Sequence, residues 1–313
     1  MKLTVRPRQR ALLGQLGDLD LRLLRVFRIV ADCGGLAAAE LELNIGISTV
    51  SRHVKDLEIR LGLRLCRRGR GGFALTTEGE RVYREISHLL ASVESFRGSI
   101  DDIHQRMGGQ LELAVFDKTA SNPQSKIHEA MARFSDEAPE VRLSVHVSSI
   151  GGIERGIIDG KFHVGVIPSH RNSKSLDYAD LFGETMFLYC AAGHPLFDAT
   201  YEGLTWRRIR KHGLAGLGYH SPNMQISHRE RLQRKATGND QEAIATLVLS
   251  GRYLGFLPDH YAQSFVQDGR MRAIAPERLY YSCRFVSVLR RSPEPTRAIR
   301  LFWKHLLAVH QQV

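Results

Sequence analysis

Residues 45–58 read IGISTVSRHVKDLE, and the spacing inside this stretch decides what kind of protein this is. Val50, Val54 and Leu57, followed by Leu61, recur at steps of four, three and four, which is one buried face of an α-helix. Thr49, Arg52, His53 and Asp56 fall on the opposite face. Glutamate and lysine would solubilise that face equally well. Hydroxyls, an arginine and a histidine therefore ask for another explanation than solvation.

Working outward, the apolar positions Leu19, Leu23, Val26, Phe27 and Val30 predict a preceding helix, with Asp18 or Asp20 as its cap and Cys33, Gly34 and Gly35 as its end. The alanine-rich segment 36–43 predicts a short second helix, closed by Asn44, with Gly46 allowing the turn. Two short helices, a tight turn and a third helix with a polar outer face form a helix-turn-helix. Downstream, LRLCRRGRGGFALT predicts two short strands carrying Leu63, Leu65, Phe73 and Leu75. They flank a basic tip with Arg67, Arg68 and Arg70, a wing suited to gripping phosphate.

Thr77 and Glu80 fit a T-x-x-E capping box. Behind it Val82, Ile86, Leu89, Val93, Phe96, Ile100, Ile103 and Met107 alternate steps of four and three, a 3.5-residue repeat. Such a narrow stripe faces a partner helix, whereas a surface helix packed on its own domain drifts toward 3.6. The expectation is a dimerisation helix across 78–107, long enough to hold one domain away from the next. After Gly108 and Gly109 the texture changes to alternating strands and helices, which predicts an α/β domain with a mainly parallel sheet. The turn at Gly193, His194 and Pro195 marks entry into a second half.

Composition narrows the alternatives. The chain has 313 residues, 43% hydrophobic and 25% charged, enough for two or three domains with real cores. Its net charge is +11, and 14 Lys+Arg face only 7 Asp+Glu between Met1 and Thr77. A segment that basic attracts polyanions. No apolar run reaches the ~18 residues of a membrane span and no secretory h-region follows the basic start, so the expected location is the cytoplasm. Cys33, Cys66, Cys190 and Cys283 form no CxxC, which predicts buried, reduced thiols; no metal and no cofactor is expected. An enzyme is disfavoured: G-L-G at 216–218 is a fragment of a dinucleotide fingerprint, and P-loop, G-x-S-x-G and H-E-x-x-H are missing. A solute-binding transport protein would need an export signal and has no use for a winged helix.

From about Leu19 to the end, the chain resembles the LysR-type transcriptional regulators. The residues that carry the resemblance are Ala39, Leu43, Ser51, Arg52, Leu57, Glu58 and Gly62, then Arg64, Leu65 and Arg68, then LT-x-x-G at Leu75, Thr76 and Gly79. PEVRLSV, IIDGKFHVGVI, GHPL and YLGFLP resemble phrases of the family's C-terminal part. Departures stand beside the matches. Gly46, Ile47 and Ser48 replace a usual Ser-Gln-Pro, removing an N-cap hydroxyl; Glu40 replaces a small residue, Cys66 a phenylalanine, and His163 a common aspartate. Residues 1–18 form a basic leader, expected to be disordered and to add phosphate affinity.

The resemblance implies an N-terminal winged helix-turn-helix over 19–77, the linker and dimerisation helix, and a two-lobed, periplasmic-binding-protein-like effector domain over 109–313. Lobe I would take about 110–192 and 271–313, lobe II about 193–270. The third helix then enters a major groove, which is wide enough for one helix. Arg52 would bond a guanine bidentately or a phosphate; Thr49 and His53 would reach base edges; Ser48, Ser51 and Lys55 would hold phosphates; Arg68 and Arg70 would add wing contacts. Ligands of open α/β folds collect at the carboxyl ends of strands. That singles out Lys118, Thr119, Ser121, Ser148, Ser149, Tyr219 and His220, with Phe256 near the crossover, as a site for a small organic anion. The implied partners are double-stranded DNA, a small-molecule effector, and a second copy in a homodimer or homotetramer. RNA polymerase joins them if the chain activates, and no membrane is involved. Peroxide-responsive members use two close cysteines in the second half of the effector domain; only Cys190 and Cys283 lie in this one, so oxidation sensing is not expected.

Overall fold

The computed structural model describes residues 14–69, 72–104 and 107–311, in two units that meet between Glu94 and Ser95. In the first unit, α1 (Asp18–Asp32) buries Leu23, Leu24, Val26, Phe27 and Val30. Leu19, expected on that face, is exposed, and Asp20 is buried instead. The Asp20 carboxylate accepts the Gly17 amide at 3.0 Å and the Arg60 guanidinium at 2.5 Å, and those bonds hold it below the usual carboxylate range. α2 (Leu36–Leu43) follows, and Asn44, with φ of 51°, rather than Gly46 makes the left-handed turn into α3 (Ile47–Leu61). At the far end Gly62, with φ of 64°, reverses the chain so that the Gly62 and Leu63 amides bond back to the last turn of α3.

The wing strands are β1 (Cys66–Gly69) and β2 (Gly72–Leu75), antiparallel with Cys66 opposite Leu75. Leu63 and Leu65 precede the strand rather than lie in it. Arg70, the side chain of Arg68 and the side chain of Ile103 lie outside the described residues, as does the leader up to residue 13.

The long helix is α4 (Thr77–Ile103), 27 residues or about 40 Å at 1.5 Å per residue. Its cap is Thr76, one residue earlier than the T-x-x-E pattern suggests. Thr76 Oγ1 accepts the Gly79 amide at 2.9 Å and donates to the Arg64 carbonyl at 2.6 Å, so the first turn of α4 is clasped to the segment entering the wing. A Cβ on Gly79 would stand 1.9 Å from the Leu65 carbonyl oxygen, which explains why the LT-x-x-G phrase ends in glycine. The apolar stripe divides along its length. Ile86 is 3% exposed and packs with Leu90, Val82 and Leu89 into the core of the first unit, so Ile86 is corrected from a partner-facing to a core residue. Phe96 is 66% exposed and Ile100 is exposed as well.

The second unit opens with β3 (Gly109–Val115), a single 3-10 turn at Thr119–Ser121, α5 (Ile127–Glu137), β4 (Val141–Val147), α6 (Ile150–Ile158) and β5 (Val164–Pro168). Then come β6 (Leu176–Ala191), α7 (Trp206–Ile209), β7 (Gly213–Leu217), α8 (Pro222–Arg229), β8 (Gln233–Gly238), α9 (Gln241–Leu249) and β9 (Leu254–Pro258). α10 (Asp259–Gln267), β10 (Met271–Ala273), β11 (Tyr280–Arg290) and α11 (Arg297–His310) complete it. Among the described residues one sheet runs β4-β3-β5-β11-β6-β9-β7-β8, with β10 on β6. Pairing is parallel inside each half, β4-β3-β5 and β9-β7-β8, and antiparallel through β6 and β11, which cross between the halves. The sheet is thus mixed rather than mainly parallel. A register shift at Phe285/Val286 interrupts the pairing of the crossing strands.

Because β6 and β11 serve both halves, the lobes do not divide at 192 and 271. Ile274 and Leu279 pack with Leu188, Leu214 and Phe256 in the core of the second lobe, which therefore runs past residue 270.

Replacing Gly79 with Ala should cost about 1–3 kcal/mol, since either the helix or the wing must move. A thermal melt of the full chain unchanged by G79A would show that the close approach of Gly79 to Leu65 does not hold α4 in place.

Candidate nucleic-acid interface and effector cleft

The orientation of α3 follows from its buried side. Val50, Val54 and Leu57 are all 0% exposed, packed with Phe27, Val30 and Ala39. The helix period then puts Arg52, Lys55 and Ser48 in solvent, with Thr49 and Ser51 half-buried beside them. His53 departs from the expectation of an outward side chain: it is half-buried, and its Nε2 is sealed from solvent without a hydrogen-bond partner.

Two glutamates position this helix. Glu58 Oε1 accepts the Leu65 amide at 2.7 Å and the Cys66 amide at 3.3 Å, tying α3 to the first wing strand. At the other end Glu40 Oε1 accepts the Ile47 amide at 2.9 Å. An α-helix starts with orphan amides that a cap hydroxyl normally satisfies, and Gly46 has none to offer. Glu40 on α2 supplies the missing acceptor, so two departures from the family pattern compensate each other. Arg67 on β1 is exposed.

The second unit brings the expected strand ends together between its lobes. Lys118, with φ of 61°, follows β3; its ammonium pairs with Glu242 of α9 at 2.5 Å and lies 4.3 Å from the centre of the Tyr261 ring. Lys118 is therefore engaged across the lobes. Ser121 Oγ lies 3.0 Å from His260 Nδ1, and His260 Nε2 lies 3.0 Å from Glu184 Oε2 on β6. Thr119 is buried, and Ser148 is half-buried next to Ser149, whose hydroxyl caps α6 by accepting the Gly152 amide at 3.3 Å. Tyr219 is half-buried with its hydroxyl sealed; His220 is exposed, its ring 5.4 Å from that of His170. Burial pulls His170 below the usual histidine range, against the opposing pull of Glu154. Phe256 is corrected: it is 0% exposed at the centre of β9, against Trp206 and Tyr281, and belongs to the core.

At the bottom of the cleft a cavity of about 10 Å³, the size of one water, is walled by Phe116, Ile150, Glu184, Leu217, Asn223 and Gln241. Asp117, two residues after β3, accepts the Gln241 amide through Oδ2 at 2.6 Å. Burial, with Asp240 and Glu184 nearby, pushes its carboxyl up to about 6. Asp117, Glu184, Asn223, Gln241 and His260 were not among the residues singled out from sequence. Only Asp117 and Gln241 carried a signal, as a residue just after a strand and the first residue of a helix behind the Asp240 cap. Burial also raises the Cys190 thiol, to about 11, which keeps it protonated and unreactive. Among the described residues no group of three His, Cys, Asp or Glu is placed to hold a metal, and no helix is long and apolar enough to cross a membrane.

Comparison with known proteins now decides the family. Residues 21–80 match the family model for the bacterial regulatory helix-turn-helix protein of the lysR family, and residues 104–311 match the LysR substrate binding domain. The chain is a LysR-type transcriptional regulator. The HTH-type transcriptional activator BauR of Pseudomonas aeruginosa is 37% identical over 290 residues, covering 93% of this chain and 95% of that one. The probable HTH-type regulator LrrA of Synechococcus elongatus is 25% identical over 240 residues, covering 75% and 79%. Among solved structures, the LysR family regulator CbnR matches with a TM-score of 0.62 at 17% identity, covering 93% of this chain and 99% of that one. Full-length CbnR complexed with its target DNA matches at 0.60 and 18% identity, covering 92% and 99%; at these identities the likeness is one of fold. As a LysR regulator the chain pairs a DNA-binding helix-turn-helix with an effector-responsive substrate-binding domain, and its relatives are regulators rather than enzymes.

The Glu40 cap gives a two-step test. Glu40→Ala should lower stability of the first unit by about 0.5–2 kcal/mol and weaken DNA binding, and adding Gly46→Ser should restore most of both. A double variant no better than E40A in melting and gel-shift assays would refute the compensation.

Proposed function

We propose that this LysR regulator acts in the cytoplasm as a dimer, or a tetramer of two dimers, that reads an inverted repeat in promoter DNA. Each subunit lays α3 in a major groove and its wing along the backbone. The observation that supports this most is the sealed Val50–Val54–Leu57 side, which leaves Arg52 and Lys55 as the exposed cations of α3 beside the glycine-rich wing. In this reading Arg52 bonds a guanine edge or a phosphate, Thr49 reaches a base edge or a thymine methyl, and Ser48, Ser51 and Lys55 hold phosphates. Arg68 and Arg70 of the wing add backbone contacts. His53, half-buried, supports the helix more than it reads. The domains implied from sequence, 19–77, 78–107 and 109–313, take the roles of reading, pairing and sensing.

The pairing surface is assigned to the distal half of α4. Val93, Phe96 and Ile100 continue the stripe after Ile86 and Leu90 have turned into the core, and an exposed phenylalanine on a 3.5-residue repeat favours a second helix. The effector is a small organic anion held between the lobes near Lys118, Thr119, Ser121, Ser148, Ser149, Tyr219 and His220. By binding one lobe arrangement better than the other it shifts the spacing of the DNA-binding units. If the chain activates, as BauR does by name, it also meets RNA polymerase.

Arg52→Ala should weaken binding to the specific site about ten- to a hundredfold while changing binding to random competitor DNA far less. Equal loss on both would reduce Arg52 to a phosphate contact. A Phe96→Glu, Ile100→Glu double variant should sediment as a monomer and lose the operator footprint; a dimer that persists at micromolar concentration would move the pairing surface elsewhere.

A further inference from the structure

The polar atoms at the bottom of the cleft are not balanced. Asp117 uses Oδ2 for the Gln241 amide, while its Oδ1 is buried with no hydrogen-bond partner. Gln241, 2% exposed and lining the cavity, has a buried Oε1 in the same condition. Asn223, also 2% exposed and lining the same cavity, spends Oδ1 on the Leu217 amide and leaves Nδ2 buried without a close hydrogen-bond partner, facing the Tyr281 hydroxyl. The sealed Tyr219 hydroxyl completes the set. Buried polar groups are paired in the great majority of cases, so four orphans around one cleft mark a surface shaped for something that pairs them.

Charge says what that is. Asp117, Asp240, Glu184 and Glu242 converge on this region, and Asp117 has no ion-pair partner among the described residues. Lys118, adjacent in sequence, is committed to Glu242, and His260 to Glu184. Burial above all pushes the Asp117 carboxyl up to about 6, Asp240 and Glu184 add to it, and the Gln241 amide and Lys118 offset only part. A hydroxyl brings one donor and no charge. An ammonium brings three donors and the missing charge, and can satisfy both unpartnered acceptors. Asn223 Nδ2, in the first turn of α8, is the one orphan that only donates, and it suits a carboxylate at a helix start.

We propose that the effector carries a protonated amine beside its carboxylate, the nitrogen held by the Asp117 and Gln241 side chains and the acid by Asn223. It rests on the reading of the cleft as the effector site and narrows the ligand class from organic anions to amino acids in the broad sense, with the position of the amine left to the test.

The probes are short amino carboxylates, the same carboxylates without nitrogen, and the corresponding alkyl amines, each titrated against the full chain by thermal shift and calorimetry. Amino carboxylates should raise Tm and bind, nitrogen-free acids should bind about ten- to a hundredfold more weakly, and Asp117→Asn should erase that preference. Gln241→Leu, which keeps the backbone amide that Asp117 accepts, should weaken the amino carboxylates alone and serves if D117N does not fold. Nitrogen-free acids binding as tightly as their amino counterparts would overturn the inference and leave the anion reading standing. Alkyl amines binding as well as amino carboxylates would keep the nitrogen site and overturn the anion reading. If no probe of any class binds the chain, both fall.

Discussion

Three side chains without solvent exposure, Val50, Val54 and Leu57, fix the direction in which α3 faces. Burying each is worth about 1.5–3 kcal/mol, and turning the helix by one residue would exchange such a side chain for a charged or polar one, so its rotation has a single low-energy setting. The rest of the first unit is hung on that setting. Glu58 follows Leu57 and reaches the Leu65 and Cys66 amides, so the wing takes its place from the helix. Thr76 and Gly79 then seat α4 against Arg64 and Leu65. A helix seal, a carboxylate and a cap thus set helix, wing and linker in sequence.

Much of this was legible because it follows from periodicity and punctuation. The spacing of Leu23, Val26, Phe27 and Val30, the breaks at Gly34 and Gly62, and the alternation after Gly109 gave the helices and the lobed domain. What failed had physical causes. Leu19 yields to Asp20 because a salt bridge to Arg60, forty residues away, is invisible to a local pattern. The 3.5-residue stripe of α4 predicts one surface, yet Ile86 is core and Phe96 is exposed, because packing on a neighbour within the unit produces the same spacing as packing on a partner helix. β8, with mostly exposed Gln233, Arg234 and Lys235, lies at the sheet edge and shows no apolar alternation to detect.

The cleft was less legible than the helix-turn-helix for a related reason. Strand ends pointed to Lys118, Ser121 and Tyr219, but whether a polar residue there is available depends on partners from distant segments. Lys118 is committed to Glu242, 124 residues on, and Ser121 to His260, 139 residues on. Phe256 looked like a crossover residue, while every residue of its strand is buried. Asp117 and Gln241 emerge only when the bond between them and the oxygen atoms left over are seen together.

Those links also bear on how the lobes respond to a ligand. Lys118–Glu242, Ser121–His260–Glu184 and Asp117–Gln241 each join segments on either side of the cleft. Glu242 is largely exposed, so its pair with Lys118 contributes at most about 1 kcal/mol, and the hydrogen bond between Ser121 and His260 about as much. The exposed links hold an arrangement without locking it, and a ligand shifts a two-state equilibrium only by its difference in affinity for the two states. Charge-assisted bonds from a ligand at the bottom of the cleft would be of the same order as the buried Asp117–Gln241 and His260–Glu184 links, and larger than the exposed ones. If the effector pairs these buried orphans in one lobe arrangement better than in the other, they are also where its binding energy would favour that arrangement.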